Sequence, residues 1–400
     1  MFDPVQPATP LPTSAPVVIV GGGIVGVASA LFLQRQGIPS IILEAADAPG
    51  TRTTAMSAHC IRAQFSEPDN IQMMAESLTF YERFTEECPG VWEARDLNLT
   101  QQGYLFASTE GADQDAFRER VRQQAAAGLP DVEALAGEDV VRRFPWMSDD
   151  IAVATFRARD GWLDSGVAVR AMLAAADVPF HPNSLVTEIV TAHNQVVGVR
   201  TAAGTIKTER VVLAAGPWCR ILSPEPLPLV LWRRHRIVVS PHPDIPQHAP
   251  VTIDANSGAH WRPHRGGALA AWALPEPDTE PMWPVPADPT FIDLILRSER
   301  GIGRISPFWR DLGQRISNDD VLLTAGQYTM TPDHRPLIGP ASHIAGLYLH
   351  TGYSGHGIMG SPAGARILAE EIAGTCTVNH FHPSRFDGNV APPDVERVVI

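Results

Sequence analysis

A glycine-rich junction between a strand and a helix constrains this chain more than any other feature. Residues 17–33 read VVIVGGGIVGVASALFL, a β-branched segment followed by Gly21, Gly23 and Gly26 and then by a helix-forming segment. In such a unit the first glycine makes the tight turn, the second lets the backbone approach a pyrophosphate, and the third lets the helix pack closely on the strand. The phosphates then lie at the free N–H groups and positive dipole end of the helix.

A second predicted strand follows over residues 40–43 and ends in Glu44. A carboxylate at this point can accept hydrogen bonds from the ribose hydroxyls of an adenosine. Strand, glycines, helix, second strand and terminal acid all fall within about 30 residues. Together they predict an ADP-containing cofactor, against the alternative of a glycine-rich helix that packs without a ligand.

Composition limits the class of protein. The chain has 400 residues, of which 44% are hydrophobic, as in a globular protein of about two domains. Its net charge of -13 predicts no nucleic-acid partner, because binding to phosphates requires a basic surface. The four cysteines lie far apart without a CxxC pair, which fits neither a zinc site nor a disulfide framework. We therefore expect no metal and a cytoplasmic protein.

The glycine-rich segment is not predicted to enter a membrane. Residues 17–33 are shorter than the ~20 apolar residues that span a bilayer. Residues 1–16 lack the basic residues of a secretory signal, and their five prolines predict an extended, mobile leader. No integral membrane segment is expected.

The order of strand and helix signals predicts two interleaved domains. The strand VVLAAG, residues 211–216, is apolar throughout, which is typical of a central parallel strand and returns the chain to the nucleotide-binding sheet. Beyond residue 221 a segment rich in proline and tryptophan predicts strands and irregular loops. The predicted divisions are a leader at 1–16, a nucleotide-binding domain at 17–89, 146–221 and 321–376, a substrate domain at 90–145 and 222–320, and a C-terminal tail at 377–400.

Motifs along the chain resemble those of a known family. VVIVGGGIVG with Glu44 comes first, VVLAAGPW lies in the middle, and QYTMTPDHRPLIG and GYSGHGIMGSPAG lie near the end. They resemble the D-amino-acid oxidase (DAO) family of FAD enzymes, and more narrowly its sarcosine oxidase and dimethylglycine dehydrogenase branch, over nearly the whole chain. The resemblance implies an α/β fold with a Rossmann-like, three-layer FAD-binding domain and a second α+β substrate domain built on a mixed β-sheet.

The same resemblance implies where FAD binds. Residues 352–359 would form the loop against the flavin ring and ribityl chain, and their glycines leave backbone N–H groups uncovered for that approach. A helix predicted after Pro362 would add its positive dipole end, although the loop is alternatively a plain lead-in to that helix. Hydroxyls of the 51–57 loop are further candidates, or else ordinary loop hydroxyls. The expected FAD contacts are Gly21, Gly23, Ile24, Val25, Gly26, Glu44, Ala45, Thr53, Thr54, Val186, Ala215, Gly216, Trp218, Gly352, Gly355, His356, Gly357, Ile358 and Met359.

Arg62 and His356 are the expected catalytic residues. In the family, an arginine ahead of a segment like AQF binds the substrate carboxylate, and CIRAQF puts Arg62 at that point. A guanidinium fork suits a carboxylate, whereas the alternative for Arg62 is a salt bridge to Asp or Glu. His356 is expected beside the flavin or substrate, or else hydrogen-bonded within its own loop. Arg62, Tyr328 and His356 form the expected substrate-binding set.

Two departures from the family pattern concern the cofactor and the substrate. Monomeric sarcosine oxidases link flavin through a cysteine just before their YTMTPD-like motif, where this chain has Gly326 and Gln327. FAD is therefore expected to be non-covalent. A lysine that binds the substrate carboxylate in those oxidases is Met359 here, so substrate binding is not simply sarcosine-like.

A third departure concerns oxygen. The lysine that promotes oxygen reduction in the family falls near Ala270 in this chain. Its absence predicts a dehydrogenase rather than an oxidase, unless Arg262, His264 or Arg265 supplies the missing charge.

These features predict an FAD-dependent oxidoreductase that acts on the CH–NH bond of a small amino acid or secondary amine with a carboxylate, of the sarcosine, N-methyl or D-amino-acid type. Hydride transfer to flavin N5 would give an imine that water hydrolyses. The electron acceptor would be a quinone, an electron-transfer protein or oxygen. Two alternatives remain: a 2-hydroxy-acid dehydrogenase of the same fold, and an FAD-binding assembly or accessory protein with little turnover.

Overall fold

Two large sheets organise the chain in this computed structural model, which describes residues 10–111, 114–388 and 395–398. Within these residues the strands are β1 Val18–Val20, β2 Ile41–Leu43, β3 Cys60–Ile61, β4 Tyr104–Ser108, β5 Glu133–Ala136, β6 Val153–Arg157, β7 Gly161–Trp162, β8 Phe180–His181, β9 Val186–Ala192, β10 Gln195–Thr201, β11 Gly204–Lys207, β12 Val211–Leu213, β13 Val230–Val239, β14 Val251–Asp254, β15 Ala259–His264, β16 Gly267–Trp272, β17 Val321–Met330, β18 Leu337–Pro340 and β19 Leu347–Thr351.

The helices connect and cover these sheets. None of those in the described ranges has both the length and the apolar composition needed to cross a membrane. They are α1 Ile24–Arg35, α2 Thr53–Met56, α3 Pro68–Glu82, α4 Phe84–Glu87, α5 Gln114–Ala126, α6 Gly137–Arg143, α7 Ser165–Ala176, α8 Cys219–Leu222, α9 Thr290–Leu296, α10 Phe308–Arg315 and α11 Gly357–Ala373.

The first sheet has six strands in the order β18-β19-β12-β1-β2-β8. Strand β12 lies parallel to β1 and to β19, so the segment VVLAAG is a central parallel strand, as predicted. Side chains such as Ile19 and Ile42 pack on helices α1, α7 and α11, whereas Val18 and Leu43 pack on the three-stranded sheet β9 to β11. The predicted three-layer domain is confirmed.

The second sheet has eight strands in the order β17-β13-β16-β15-β14-β4-β6-β5. Its neighbours are antiparallel except for β14 and β4, so the sheet is mixed, as predicted. One face buries Trp261, Ile237 and Ala268 against helices α9 and α10 through Ile295 and Trp309. The other face is available to line cavities.

Two strands pair differently from the predicted domain boundaries. Strand β6 pairs with β4 and β5, and β17 pairs with β13 along ten residue positions, so both belong to the second sheet. Residues 146–221 and 321–376 were assigned whole to the nucleotide-binding domain. The difference arises because each segment contributes one strand to the second sheet before the chain returns to the first.

The part of the predicted leader that the structure describes is paired rather than free. The N–H of Ala15 donates to the carbonyl of Lys207 at 3.0 Å, and the N–H of Lys207 donates to the carbonyl of Thr13 at 2.9 Å. These bonds extend the β9 to β11 sheet by a short edge, which corrects the expected mobility for residues 10–16. Residues 1–9 lie outside the described part of the chain.

Candidate active site

The glycine turn after β1 has the close contacts that its sequence predicts. Gly21 has φ +108°, in the region that side chains disfavour, and a Cβ there would lie 2.5 Å from the carbonyl oxygen of Ala214. A Cβ on Gly26 would lie 1.9 Å from the carbonyl oxygen of Gly21. Gly23 immediately precedes α1 and provides no side-chain cap, and the first turn of α1 holds no acidic residue. The N-terminus of α1 is thus open to an anion.

Glu44 and Thr54 hold the loops that surround this turn. The carboxylate of Glu44 accepts from the N–H of Gly22 at 2.6 Å and from the N–H of Ala46 at 2.7 Å. The hydroxyl of Thr54 accepts from the N–H of Ile24 at 3.2 Å. Each carboxylate oxygen retains a lone pair, so Glu44 can still accept from a ribose hydroxyl.

A cavity of about 190 Å³, called here the cofactor cleft, extends from this turn. It passes the open end of α1 and reaches β17 and the loop after β19. Gly26 is not in its lining and serves helix packing instead, while His356 and Met359 line a neighbouring cavity. The other expected FAD contacts line the cleft: Gly21, Gly23, Ile24, Val25, Glu44, Ala45, Thr53, Thr54, Val186, Ala215, Gly216, Trp218, Gly352, Gly355, Gly357 and Ile358.

The residues of the cleft fit an adenine dinucleotide cofactor. Gly23 has no side chain to cover the N-terminus of α1, where a pyrophosphate can bind, and Glu44 lies beside it for a ribose. Farther along, Thr351 also lines the cleft, and its side chain interacts with the thiol of the buried Cys219. None of the chain's cysteines lines the cleft.

Helix α11 begins earlier than predicted. The sequence places its start after Pro362, but the helix runs from Gly357 with Pro362 inside it. Proline lacks the N–H that would reach the carbonyl of Ile358, and the hydroxyl of Tyr81 donates to that carbonyl at 2.8 Å instead. Residues 357–359 therefore form the first helical turn, and the positive end of α11 points at the cleft directly.

Tyr328 and Gly355 form the partition between the cofactor cleft and a second cavity. Gly355 has φ +94°, and a Cβ there would lie 2.3 Å from the ring of Tyr328, so only glycine fits. Burial raises the pKa of the Tyr328 hydroxyl. The second cavity, called the inner cavity, has about 50 Å³ and is also lined by Arg62, His356 and Met359.

Arg62 is buried at the inner cavity, with 3% of its surface exposed. Its Nη1 donates to the carbonyl of Gln64, its Nη2 donates to the carbonyl of Val398, and its guanidinium lies 3.8 Å from the centre of the Phe65 ring. Nε has no partner, and no carboxylate of the described residues forms an ion pair with Arg62. Arg62 therefore does not form the salt bridge that was the expected alternative.

His356 lies beside Arg62 as an uncharged imidazole. Burial and the positive charge of Arg62 lower the pKa of His356 to about 3. Its ring forms a hydrogen bond with the backbone of Ser354, while Nε2 has no partner among the described residues. The ring contacts Phe65 edge-on at 5.1 Å between centres. His356 therefore makes the contact within its own loop that was one of the two expectations, and it also lines the inner cavity.

Three cavity residues were not predicted from the sequence. A small cavity of about 30 Å³, called the sheet cavity, is lined by Arg234, Arg236 and His260. It shares Ala58, His260 and Tyr328 with the inner cavity, so the two are adjacent. For Arg234 and Arg236, the sequence pattern that could have indicated a cavity-facing position is WRRHRIVV, residues 232–239, where polar and apolar positions alternate on one strand.

The position expected for the oxygen-reactive lysine needs a correction. Ala270 lies on β16 with its side chain in the core beside Trp261 and Trp309, because alternate residues of a strand face opposite sides. Its neighbour Ala271 lines the sheet cavity. A lysine at position 270 would therefore point away from the cavities.

The described part of the C-terminal tail closes one side of the site. Glu396 is fully buried, and its carboxylate accepts from the N–H and hydroxyl of Ser66 and from the N–H groups of Glu67 and Val398. It also accepts from the side chain of Asn70 at 3.0 Å. These donors hold the pKa of Glu396 below its ordinary value despite burial. The sequence predicts only a tail here.

Known proteins resemble this chain in sequence and in fold. The protein is 29% identical over 426 residues to FAD-dependent oxidoreductase domain-containing protein 1 of Xenopus laevis, covering 93% of this chain and 82% of that protein. It is 27% identical over 389 residues to 4-methylaminobutanoate oxidase (formaldehyde-forming) of Paenarthrobacter nicotinovorans, covering 92% of this chain and 44% of that protein.

A crystal structure of L-proline dehydrogenase from P. horikoshii superposes with a TM-score of 0.81 at 24% identity, covering 94% of this chain and 98% of that one, which shows a common fold. The family described as DAO, FAD dependent oxidoreductase, matches residues 16–371. The match spans the glycine turn, the cofactor cleft and the loop before α11. The chain therefore belongs to the DAO family of FAD-dependent oxidoreductases.

Proposed function

We propose that this flavoprotein oxidises the CH–NH bond of a small amino acid or secondary amine that carries a carboxylate. The supporting observation is that the cofactor cleft and the inner cavity meet at Ser57, Tyr328, Gly355 and Ile358, with Arg62 on the far side. When bound, FAD supplies a hydride acceptor, and water hydrolyses the imine product. The residues of the inner cavity would bind the substrate, orient it and shield it from water.

Arg62 is the proposed anchor for the substrate carboxylate. It is a buried cation whose Nη2, among the described residues, donates to a neutral carbonyl, that of Val398. A carboxylate in place of that carbonyl would gain charge-assisted hydrogen bonds, which are about twice as strong as neutral ones. Exchange of one acceptor for the other would fix the α-carbon beside Tyr328.

His356 is proposed to contact the substrate as a neutral group. With a pKa of about 3 it carries no charge at physiological pH, so it adds no repulsion to Arg62. Its unpartnered Nε2 can form a hydrogen bond with the amine or carboxylate. The surrounding guanidinium charge also disfavours an ammonium group, which favours the free amine that hydride transfer requires.

The proposed electron acceptor is a quinone or an electron-transfer protein rather than oxygen. The sequence contains one lysine, Lys207, an exposed residue of β11 that lines neither the cofactor cleft nor the inner cavity. Arg262 is buried, donates through Nε and Nη1 to the carbonyls of Ala58 and Pro263, and lines neither of these two cavities. Burial and nearby arginines lower the pKa of His264 to about 4, which leaves it uncharged. A cytoplasmic location completes the proposal.

Anaerobic bleaching of the bound flavin tests this function. We expect N-methyl, D- or cyclic amino acids to bleach the visible absorption, and 2-hydroxy acids of the same carbon skeleton to leave it unchanged. Bleaching by hydroxy acids alone would replace the proposal with a 2-hydroxy-acid dehydrogenase. Bound FAD that no amine or hydroxy acid reduces would indicate an accessory protein.

The acceptor is tested separately by stopped-flow reoxidation of the substrate-reduced protein. We expect slow reoxidation in air-saturated buffer and fast reoxidation by a soluble quinone. A fast, oxygen-dependent return of the oxidised spectrum would make the protein an oxidase.

A further inference from the structure

The sheet face above the two adjacent cavities carries an excess of positive charge. On β13, Arg234, His235 and Arg236 all line the sheet cavity, although the His235 ring stacks on Phe291 and the following Ile237 packs in the core on the opposite side of the sheet. On β15, Arg262 lies on the same cavity-facing side and is 2% exposed. Arg62 lines the inner cavity, Arg234 and Arg236 line the adjacent sheet cavity, and Arg262 lies outside both linings but close enough to Arg236 to lower its pKa.

Within the described ranges, none of these four arginines forms an ion pair. Arg236 donates to Ala55, Ser57 and Thr324, which are neutral acceptors, and Arg234 donates to the carbonyls of Arg233 and Leu274.

The nearby carboxylates are engaged elsewhere. Glu276 pairs with Arg233, and Asp160 pairs with Arg157. Glu396 is fully hydrogen-bonded at the start of α3. Among the described residues, the four arginines therefore have no carboxylate in ion-pair contact, and only the more distant charges of Glu276, Glu396 and Asp160 act on Arg234 or Arg62.

Burial of a cation without an ion-pair partner is unfavourable. Burial and the neighbouring Arg262 lower the pKa of Arg236 to about 10. Burial also lowers the pKa of Arg234, and its Nε is a buried donor without a partner. Buried cations are normally paired, so an arrangement that leaves several unpaired beside a cavity fits an anionic ligand.

Neutral groups lie between the two adjacent cavities. Tyr328 and His260 line both cavities, with Arg62 in one lining and Arg234 in the other. Burial lowers the pKa of His260, and the charges of Arg234 and Arg62 lower it further, so this ring lies within the field of both. Within the part of the chain that the structure describes, the buried Nε–H groups of Arg62 and Arg234 have no hydrogen-bond partner. The site thus has two cationic ends joined by an uncharged middle.

We propose that the substrate is an amino acid or secondary amine with two carboxylates, one bound by Arg62 and the second by Arg234. The inference rests on the proposed function for the role of Arg62 and extends it to a substrate class. Arg236 and Arg262 hold the loop of residues 55–58 and add positive potential, so the second carboxylate is favoured over a neutral side chain.

The test measures ligand binding without turnover, which separates it from the proposed function. Butyrate is glutarate with one carboxylate replaced by hydrogen. Each compound is titrated into the FAD-bound protein, and its binding is followed by the shift of the flavin spectrum. We expect glutarate to bind about tenfold more tightly or better than butyrate. Equal affinities would overturn the two-carboxylate proposal even if amines reduce the flavin.

Variants locate the second carboxylate. Arg234→Gln should abolish the preference for glutarate while butyrate binding and FAD content stay as in the parent protein. Arg233→Gln is the matched control, because Arg233 is the adjacent arginine of the same strand, pairs with Glu276 and lines neither cavity. A glutarate preference that survives Arg234→Gln, or that both variants lose equally, would overturn the assignment of Arg234. Loss of FAD in Arg234→Gln with an unchanged preference in the remaining holoprotein would do the same.

Discussion

Replacing Glu396 by glutamine tests whether its carboxylate holds residues 395–398 docked against the site. Glu396 Oε1 accepts from Ser66 N–H and from Val398 N–H, each at 2.9 Å, and Oε2 accepts from Glu67 N–H and Asn70 Nδ2, each at 3.0 Å. In glutamine one oxygen becomes NH₂. Whichever way the amide turns, two N–H donors then face another donor instead of an acceptor.

The size of the effect follows from these contacts. Hydrogen bonds to a charged group contribute roughly 1.5 to 3 kcal/mol each, so the loss of two costs about 3 to 6 kcal/mol. Detachment of the tail would let water satisfy the donors, which limits the penalty to the docking free energy of this segment. We therefore expect Glu396→Gln to release the tail rather than to unfold the protein, and to free the Arg62 guanidinium from the carbonyl of Val398.

The same contact predicts a dependence on pH. The folded protein lowers the pKa of Glu396 below its ordinary value of 4.5, so the carboxylate stabilises docking above pH 4.5. This contribution is lost as the pH falls through the lowered pKa of the docked state. The tail should detach on acidification in the parent protein and be detached at neutral pH in Glu396→Gln.

Hydrogen exchange of the peptides that contain residues 62–67 and 395–398 measures this detachment. Glu280→Gln is the control, because Glu280 is 75% exposed and forms a surface ion pair with Arg220, which is worth little. Exchange should accelerate in Glu396→Gln alone. Equal protection in Glu396→Gln and the parent protein, or equal acceleration in the control, would refute the reasoning.

Four other outcomes follow from the cleft and the inner cavity. Acid precipitation should release the FAD into the supernatant, because Gly326 offers no nucleophile and a Cβ there would meet Met56 at 2.9 Å; colour in the pellet would show a covalent link. Arg62→Ala should weaken carboxylate substrates by about 2 to 4 kcal/mol with FAD retained, and Arg62→Lys should restore only part; an unchanged KM would exclude Arg62 as the anchor. Gly26→Ala should lower the free energy of unfolding by about 3 kcal/mol or more, since its Cβ would overlap a backbone oxygen; a parental Tm would contradict this. Since His356 has a pKa of about 3, kcat/KM should show no inflection from it near the ordinary histidine value of about 6.5; an inflection there that His356→Asn removes would contradict its neutral role.

The nucleotide-binding half was predictable because its signals are local. Gly21, Gly26 and Glu44 lie close together in sequence, and the turn they specify brings them together with few long-range contacts. The orientation of the side chains on strand β13 was harder to predict from the sequence. Which of Arg233 and Arg234 faces the cavity depends on the pairing of β13 with β17, and sequence alternation alone leaves the two faces equivalent.

The remaining features depend on contacts between distant residues. Glu396 contacts Ser66 across 330 positions of sequence, so no local sequence pattern predicts this contact. Helix α11 begins at Gly357 because Tyr81, 277 positions away from Ile358, supplies the hydrogen bond that Pro362 cannot make. Local rules place a helix start at proline, and the tertiary contact overrides them.

The central claim is that the substrate gives a hydride from its α-carbon to FAD in this cleft. The most direct measurement is anaerobic stopped-flow reduction of the bound flavin by the best amine substrate, compared with the same substrate carrying deuterium at the α-carbon. We expect the flavin absorption to disappear in a single turnover, several-fold more slowly with deuterium, and much more slowly in Arg62→Ala. Flavin that stays oxidised with every amine tested, or is reduced at the same rate in Arg62→Ala as in the parent protein, would contradict the account.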